Sequence, residues 1–320
     1  MRIVVLDGFT LNPGDLSWDA LAQMGELTVY DRTSPSDIVA RATGAEVVLT
    51  NKVVLTEEIL RQLTPTLKYV GVLATGYNVV DIPVSRSLGV CVTNIPAYST
   101  PSVAQHVFAL LLNVTNRVGH YSHQIQCDNR WVKSLDFSYT DTTLVELCGK
   151  TMGIGGLGRI GMAGATRANA MGMRVISNTS KSQEQLPDYV EKVTCDELFV
   201  QSDVLSLHCP LTDDTRHFIS AESLGKMKSS AIVINTGRGP LVDEQAVADA
   251  LHGNRLGAFA ADVLSQEPPS ADNPLLSAPR VYLTPHIAWA SFEARTRLMQ
   301  ICVDNVRAFL SGAAINVVNG

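Results

Sequence analysis

Gly149-Lys-Thr-Met-Gly-Ile-Gly-Gly-Leu-Gly-Arg-Ile-Gly161 is the stretch that decides the reading of this chain. Residues 151–155 form a short strand, the glycines after it a sharp turn, and a helix starts near Gly158. A helix that begins in such a turn offers unpaired N–H groups and a partial positive charge, a seat for a dinucleotide pyrophosphate. Two registers fit the G-x-G-x-x-G spacing, Gly153/Gly155/Gly158 and Gly156/Gly158/Gly161. The second is preferred: it puts one glycine at the strand end, one where backbone must approach phosphate, and one inside the first helical turn. The spacing alone is weakly specific, and what surrounds it carries the argument.

Downstream, strands are expected at 174–177, 204–208, 231–235, 258–262 and 282–283, with helices starting near Gly158, Cys195, Ala221 and Asp243. Strand–helix units opening on a glycine turn make a doubly wound dinucleotide-binding domain. Upstream, apolar strands at 2–6, 27–30, 47–49, 69–72 and 90–92 alternate with helices at 16–24, 36–42, 56–63 and 84–88, a second parallel sheet covered on both faces. Asn12-Pro13-Gly14-Asp15 reads as a turn feeding an Asp15 helix cap. Pro101 begins a long helix whose apolar positions run from Val103 through Val118 at helical spacing. Residues 120–148 carry no clear pattern.

A last helix, 291–310, belongs by its nature on the first domain. The expected organisation is α/β with two doubly wound parallel sheets: a discontinuous flavodoxin-like substrate-binding domain, 1–100 with 288–320, and a Rossmann-type dinucleotide-binding domain, 101–287. The elements near 101–120 and 286–310 would be the crossings, with a cleft between the domains.

Composition narrows the function. With 46% apolar and 18% charged residues and a net charge of −6, the chain is globular and lacks the basic excess of a nucleic-acid surface. No apolar run approaches the roughly 20 residues of a membrane span. The chain opens directly on a strand pattern, so a cytoplasmic protein is expected. Six cysteines without a C-x-x-C pair read as free buried thiols, not disulfides or a metal site.

Sites in such sheets lie at the carboxyl ends of strands. Asn235-Thr-Gly-Arg-Gly239 delivers an arginine there, Asp262 ends the next strand with Glu267-Pro268 in the loop beyond, and Thr284-Pro285-His286 ends the last. Guanidinium is a planar fork for a carboxylate or carbonyl. Imidazole passes a proton near neutrality, and a neighbouring carboxylate favours its protonated form. Beside a nicotinamide, this set suits reduction of a 2-oxo acid to a 2-hydroxy acid.

These motifs, with His208-Cys-Pro-Leu-Thr212, resemble the D-isomer-specific 2-hydroxyacid dehydrogenase family over essentially the whole chain. Leu6-Asp-Gly8, Asn12-Pro-Gly-Asp15, Ala74-Thr-Gly-Tyr-Asn78 and His286-Ile-Ala-Trp289 look most like its glycerate dehydrogenases, or hydroxypyruvate reductases. The resemblance implies that Arg238 orients the substrate, His286 is the acid–base and Glu267 its tuning partner. Ala74, Thr75 and Gly76 would hold the substrate carboxylate through backbone N–H groups, and Tyr98 and Trp289 would shape the pocket or simply pack. The implied cofactor contacts are Thr100, Val103, Gly156, Gly158, Arg159, Ile160, Asn178, Thr179, Ser180, Lys181, Cys209, Pro210, Thr215, Thr236, Gly237, Arg238, Asp262 and His286. A homodimer is also implied.

Two departures stand out. Gln105 falls in a stretch where the family often has Glu. Thr179 stands where an NAD-specific site wants an acid for the ribose 2′-OH; Asn178, Thr179, Ser180 and Lys181 suit a 2′-phosphate, so NADP is favoured over dual use or NAD. The rival class is a non-catalytic dinucleotide-sensing corepressor on the same fold. Within the family, phosphoglycerate dehydrogenase fits less well because no regulatory domain follows Gly320, formate dehydrogenase because Glu267 stands where it has Gln, and glyoxylate is an alternative substrate.

Overall fold

The computed structural model describes residues 1–320, which divide into two compact units, Met1–Ser99 with Ala290–Gly320, and Thr100–Trp289. In the first, β1 (Arg2–Val5), β2 (Glu26–Val29), β3 (Val47–Thr50), β4 (Tyr69–Val72) and β5 (Cys91–Thr93) form one parallel sheet ordered β2-β1-β3-β4-β5. The helices between them are α1 (Asp19–Ala22), α2 (Ile38–Ala42), α3 (Glu57–Leu63) and α4 (Ile82–Ser87). Every residue of β3 and β4 is buried, as expected of central strands covered on both faces. Thr56 and Asp81 cap α3 and α4, accepting from Ile59 N and Val84 N.

Asp15 is not the helix cap expected. Its carboxylate takes both terminal nitrogens of the nearly buried Arg295 at 2.6 Å, a bidentate ion pair stronger than a cap bond. That pair, with the Arg295 guanidinium as its main cause, holds the Asp15 carboxyl below the usual range. The Asn12 side chain instead closes the turn, accepting from Gly14 N and Leu16 N, and α1 is only four residues long.

The second unit opens with α5 (Thr100–Asn116), which ends short of the expected Val118 because Arg117 turns left-handed at φ 52°. Val118 then starts α6 (Val118–Gln126) and is exposed. Residues 127–150 follow without helix or strand. Next come β6 (Thr151–Gly155), α7 (Arg159–Ala170), β7 (Arg174–Asn178), β8 (Val190–Lys192), α8 (Cys195–Gln201), β9 (Val204–Leu207), α9 (Ala221–Lys226), β10 (Ile232–Asn235), α10 (Glu244–His252), β11 (Ala258–Ala261) and β12 (Val281–Leu283). The parallel sheet runs β12-β11-β10-β9-β6-β7-β8. Strand order reverses between β6 and β9, where such sheets open a crevice for ligands.

The chain then returns to the first unit through α11 (Phe292–Leu310), capped by Ser291 and packed on β4, where the Phe309 and Tyr69 rings stand 4.8 Å apart. Beyond it, Val317 bridges Thr93 antiparallel, and Asn319 Oδ1 accepts from Val92 N while its amide donates to Val90 O. All six cysteines are free, but Cys127, Cys148 and Cys195 are exposed, so burial is not what unites them. No helix is long and apolar enough to cross a membrane.

Candidate active site

The glycines of the two registers differ in what surrounds them. Gly156 follows β6 at φ 92°, and a Cβ there would lie 2.6 Å from Cys209 N. A Cβ on Gly161 would lie 2.2 Å from Gly156 O, so the first turn of α7 closes directly on the strand end. Gly158, by contrast, has open space where its side chain would be, at the N-terminus of α7. This is the room and the donor set that a pyrophosphate needs. Gly153 of the other register serves the core instead, since a Cβ there would meet the Ser202 hydroxyl.

At the end of β7 no acid is present. The Asn178 amide donates to Val193 O at 3.2 Å, and Asn178 O accepts from Gly156 N, so this residue ties the glycine turn to its neighbours. Thr179 Oγ1 accepts from Lys181 N, and Lys192 Nζ donates to Lys181 O, leaving a neutral, lysine-bordered loop with Ser180 exposed.

The loop after β9 is largely self-contained. Thr215 Oγ1 donates to Pro210 O at 2.6 Å and accepts from Thr212 N, closing the loop on itself. His208 Nε2 stands 2.9 Å from Ser206 Oγ, and burial pushes its imidazole down to about 4, so it is neutral near pH 7. Burial likewise raises the Cys209 thiol.

After β10, Asn235 folds the loop around itself: its amide donates to Arg238 O at 2.8 Å and its Oδ1 accepts from Gly237 N at 3.0 Å. Arg238 is exposed, donates to Gly237 O and makes no ion pair. The Thr236 hydroxyl is buried with no hydrogen-bond partner. An orphaned hydroxyl beside an unpaired guanidinium fits a site completed by a polar ligand.

The loops after the next two strands bring His286 and Glu267 together. His286 Nδ1 lies 2.5 Å from Glu267 Oε2, while Glu267 Oε1 accepts from Leu264 N. Nδ1 being committed to a carboxylate, Nε2 is the nitrogen left to exchange a proton. His286 itself sits at φ 55°, a left-handed conformation rare for a side chain with a Cβ. Asp262 is 1% exposed and not a free strand-end carboxylate: it accepts from Thr284 Oγ1, Ile287 N and Ala288 N.

Other expected residues fall elsewhere. Ala74, Thr75 and Gly76 lie in the first unit after β4, where Asn51, Ile95 and Asn94 take up the carbonyls of residues 73, 74 and 75. The N–H groups of 74–76 donate to nothing within that unit. Tyr98 and Val103 are buried, whereas Trp289 is half-buried. Arg159, Ile160 and Thr100 sit on the first turns of α7 and α5, and Gln105 is exposed on α5. The sequence reading missed Ser102 and His106 on α5, polar positions one turn apart among apolar ones, which bond to the His286 segment.

Residues 108–288 match the D-isomer specific 2-hydroxyacid dehydrogenase, NAD binding domain family. The chain is 46% identical over 326 residues to a hydroxypyruvate reductase of Blautia hydrogenotrophica, covering 100% of each. It is 42% identical to a glycerate dehydrogenase of Methylorubrum extorquens, covering 92% of each. Among solved structures, D-lactate dehydrogenase from Aquifex aeolicus, complexed with NAD and lactic acid, is similar at TM-score 0.85 and 29% identity, over 100% of this chain and 99% of that one.

Proposed function

The chain belongs to the D-isomer specific 2-hydroxyacid dehydrogenase family, an NAD(P)-dependent 2-oxo acid reductase of hydroxypyruvate reductase/glycerate dehydrogenase type, and from that premise we propose that it reduces hydroxypyruvate to D-glycerate. Glyoxylate is the smaller substrate of the same class, and NADPH the preferred cofactor. The observation that carries the reading is the 2.5 Å contact of His286 with Glu267, two loops along the sheet edge from Arg238.

When bound, the nicotinamide supplies the hydride that reaches C2 of the substrate. The protein's part is to bind, orient and protonate. Arg238 grips the substrate's carboxylate and carbonyl through its fork, and the free N–H groups of Ala74, Thr75 and Gly76 are suited to a carboxylate. Glu267 holds Nδ1–H and stabilises the imidazolium, so Nε2–H of His286 donates to the carbonyl oxygen as it becomes a hydroxyl. Gly156, Gly158, Arg159 and Ile160 seat the pyrophosphate; Thr236 and Gly237 line the same edge. The NADPH preference rests on Thr179, Ser180 and Lys181, where the acid suited to a free 2′-OH is absent.

The protein is further proposed to pair with a second copy of itself. Trp131, Val132, Leu135 and Phe137, in the segment after α6, are 51%, 82%, 101% and 91% exposed, an apolar surface that a monomer would leave in water. Light scattering on the purified protein should give twice the chain mass.

Initial rates of NADPH and NADH oxidation with hydroxypyruvate, measured side by side, test the function. Turnover with NADPH favoured supports substrate and cofactor together. Turnover favouring NADH keeps the reductase and removes the phosphate-pocket reading, and no turnover with hydroxypyruvate or glyoxylate overturns the substrate assignment.

A further inference from the structure

His286 has an unusual backbone, and something must hold it there. Two groups on α5 bond to residues on either side of it. Ser102 Oγ donates to Ala288 O at 2.6 Å, and one turn on, His106 Nε2 lies 2.9 Å from Thr284 Oγ1. Thr284 in turn is 2.6 Å from Asp262 Oδ1, and Asp262 accepts the N–H groups of Ile287 and Ala288 at 2.8 Å each.

The direction of this chain follows from the donor inventory. Asp262 is the acceptor throughout, so the single hydroxyl proton of Thr284 is committed to it. Thr284 Oγ1 can then only accept from His106, and the His106 imidazole carries its proton on Nε2. The chain runs His106 Nε2–H to Thr284 O–H to Asp262, and from there to the two residues that follow His286. His106 Nε2 also stands 3.6 Å from Asp262 Oδ1.

We propose that His106, through the Thr284–Asp262 hydrogen-bond chain, and Ser102, through the carbonyl of Ala288, are positioning residues on α5 that set the His286 imidazole for proton transfer. This rests on the reading of His286 as the proton donor. A misplacement of about 1 Å at a catalytic group costs on the order of 10²-fold, so loosening one link of the chain should cost at least about tenfold in kcat.

The test uses the full chain and two matched pairs of substitutions. Thr284→Val keeps the shape and loses the link, whereas Thr284→Ser keeps the hydroxyl; His106→Leu loses the donor, whereas His106→Gln retains one. With hydroxypyruvate and NADPH, Thr284→Val and His106→Leu should lower kcat by about tenfold or more, with the KM for NADPH held within about twofold. Thr284→Ser and His106→Gln should regain most of that rate. Amide hydrogen exchange at Ile287 and Ala288 should quicken in Thr284→Val while amides of β9 and β10 keep their protection. Equal rates within either pair, or unchanged exchange at 287 and 288, overturn the proposal. Should the wild-type protein turn over no 2-oxo acid, the functional reading fails and the exchange measurement alone decides the clamp.

Discussion

The carboxyl edges of the two sheets solve the same problem and then diverge. In the first unit, Asp7 beyond β1 accepts from the N–H groups of Asn51, Lys52 and Val53, at the turn after the adjacent β3. In the second, Asp262 beyond β11 does the same for Ile287 and Ala288 beyond the adjacent β12. A strand-end carboxylate that takes up the loose N–H groups of the next loop is thus a structural device common to both. What differs is the cargo. The loop after β4 presents backbone donors at Ala74, Thr75 and Gly76, whereas the second unit presents the side chains of Arg238, Glu267 and His286. Backbone donors survive substitution; side-chain chemistry does not.

Arg238→Lys should break the comparison most visibly. The fork becomes a point charge, and kcat/KM with hydroxypyruvate should fall on the order of 10²-fold or more. A rate near wild type in that assay would take Arg238 out of the site. Next comes the shared clamp. Asp7→Ala strands three N–H groups, one of them on the buried Asn51, and should cost about 2 kcal/mol, read as a lower urea midpoint at unchanged slope. An unmoved midpoint would mean the carboxylate is not structural in the first unit.

A smaller effect, on the order of tenfold in kcat, is expected for Glu267→Gln. The neutral carboxamide accepts from Nδ1–H more weakly than the carboxylate does, so the imidazole is held less firmly for proton donation. A kcat within about twofold of wild type would separate Glu267 from the proton transfer. Smallest should be Thr75→Ala, which keeps its N–H and loses only the hydroxyl bond to Ile95 O, within about threefold in the KM for hydroxypyruvate. A loss as large as that of Arg238→Lys would show that the first unit also works through a side chain.

The two parallel sheets and the glycine turn were legible because buried parallel strands read as continuous apolar runs and because Gly156, Gly158 and Gly161 each answer a different steric demand. β8 was not foreseen: it is three residues long, at the sheet edge, with two residues exposed, so no apolar run marks it. Asp15 looked like a cap because local sequence cannot show Arg295, which is 280 residues away. The His286–Glu267 contact rested on resemblance, not on local pattern, since 18 residues, β12 among them, separate the two. Ser102 and His106 escaped notice because a polar residue on an apolar helix reads as surface until its partner is known.

The return of α11 and residues 316–319 to the first sheet has a consequence for a chain made from its N-terminus. β1 to β5 leave the ribosome before residues 100–289, yet the edge of β5 is bare until Val317, Val318 and Asn319 have been synthesised. Asp15 likewise waits for Arg295, whereas residues 100–289 hold every strand of their own sheet before either arrives. During translation the order of completion is therefore the reverse of the order of synthesis for these two units.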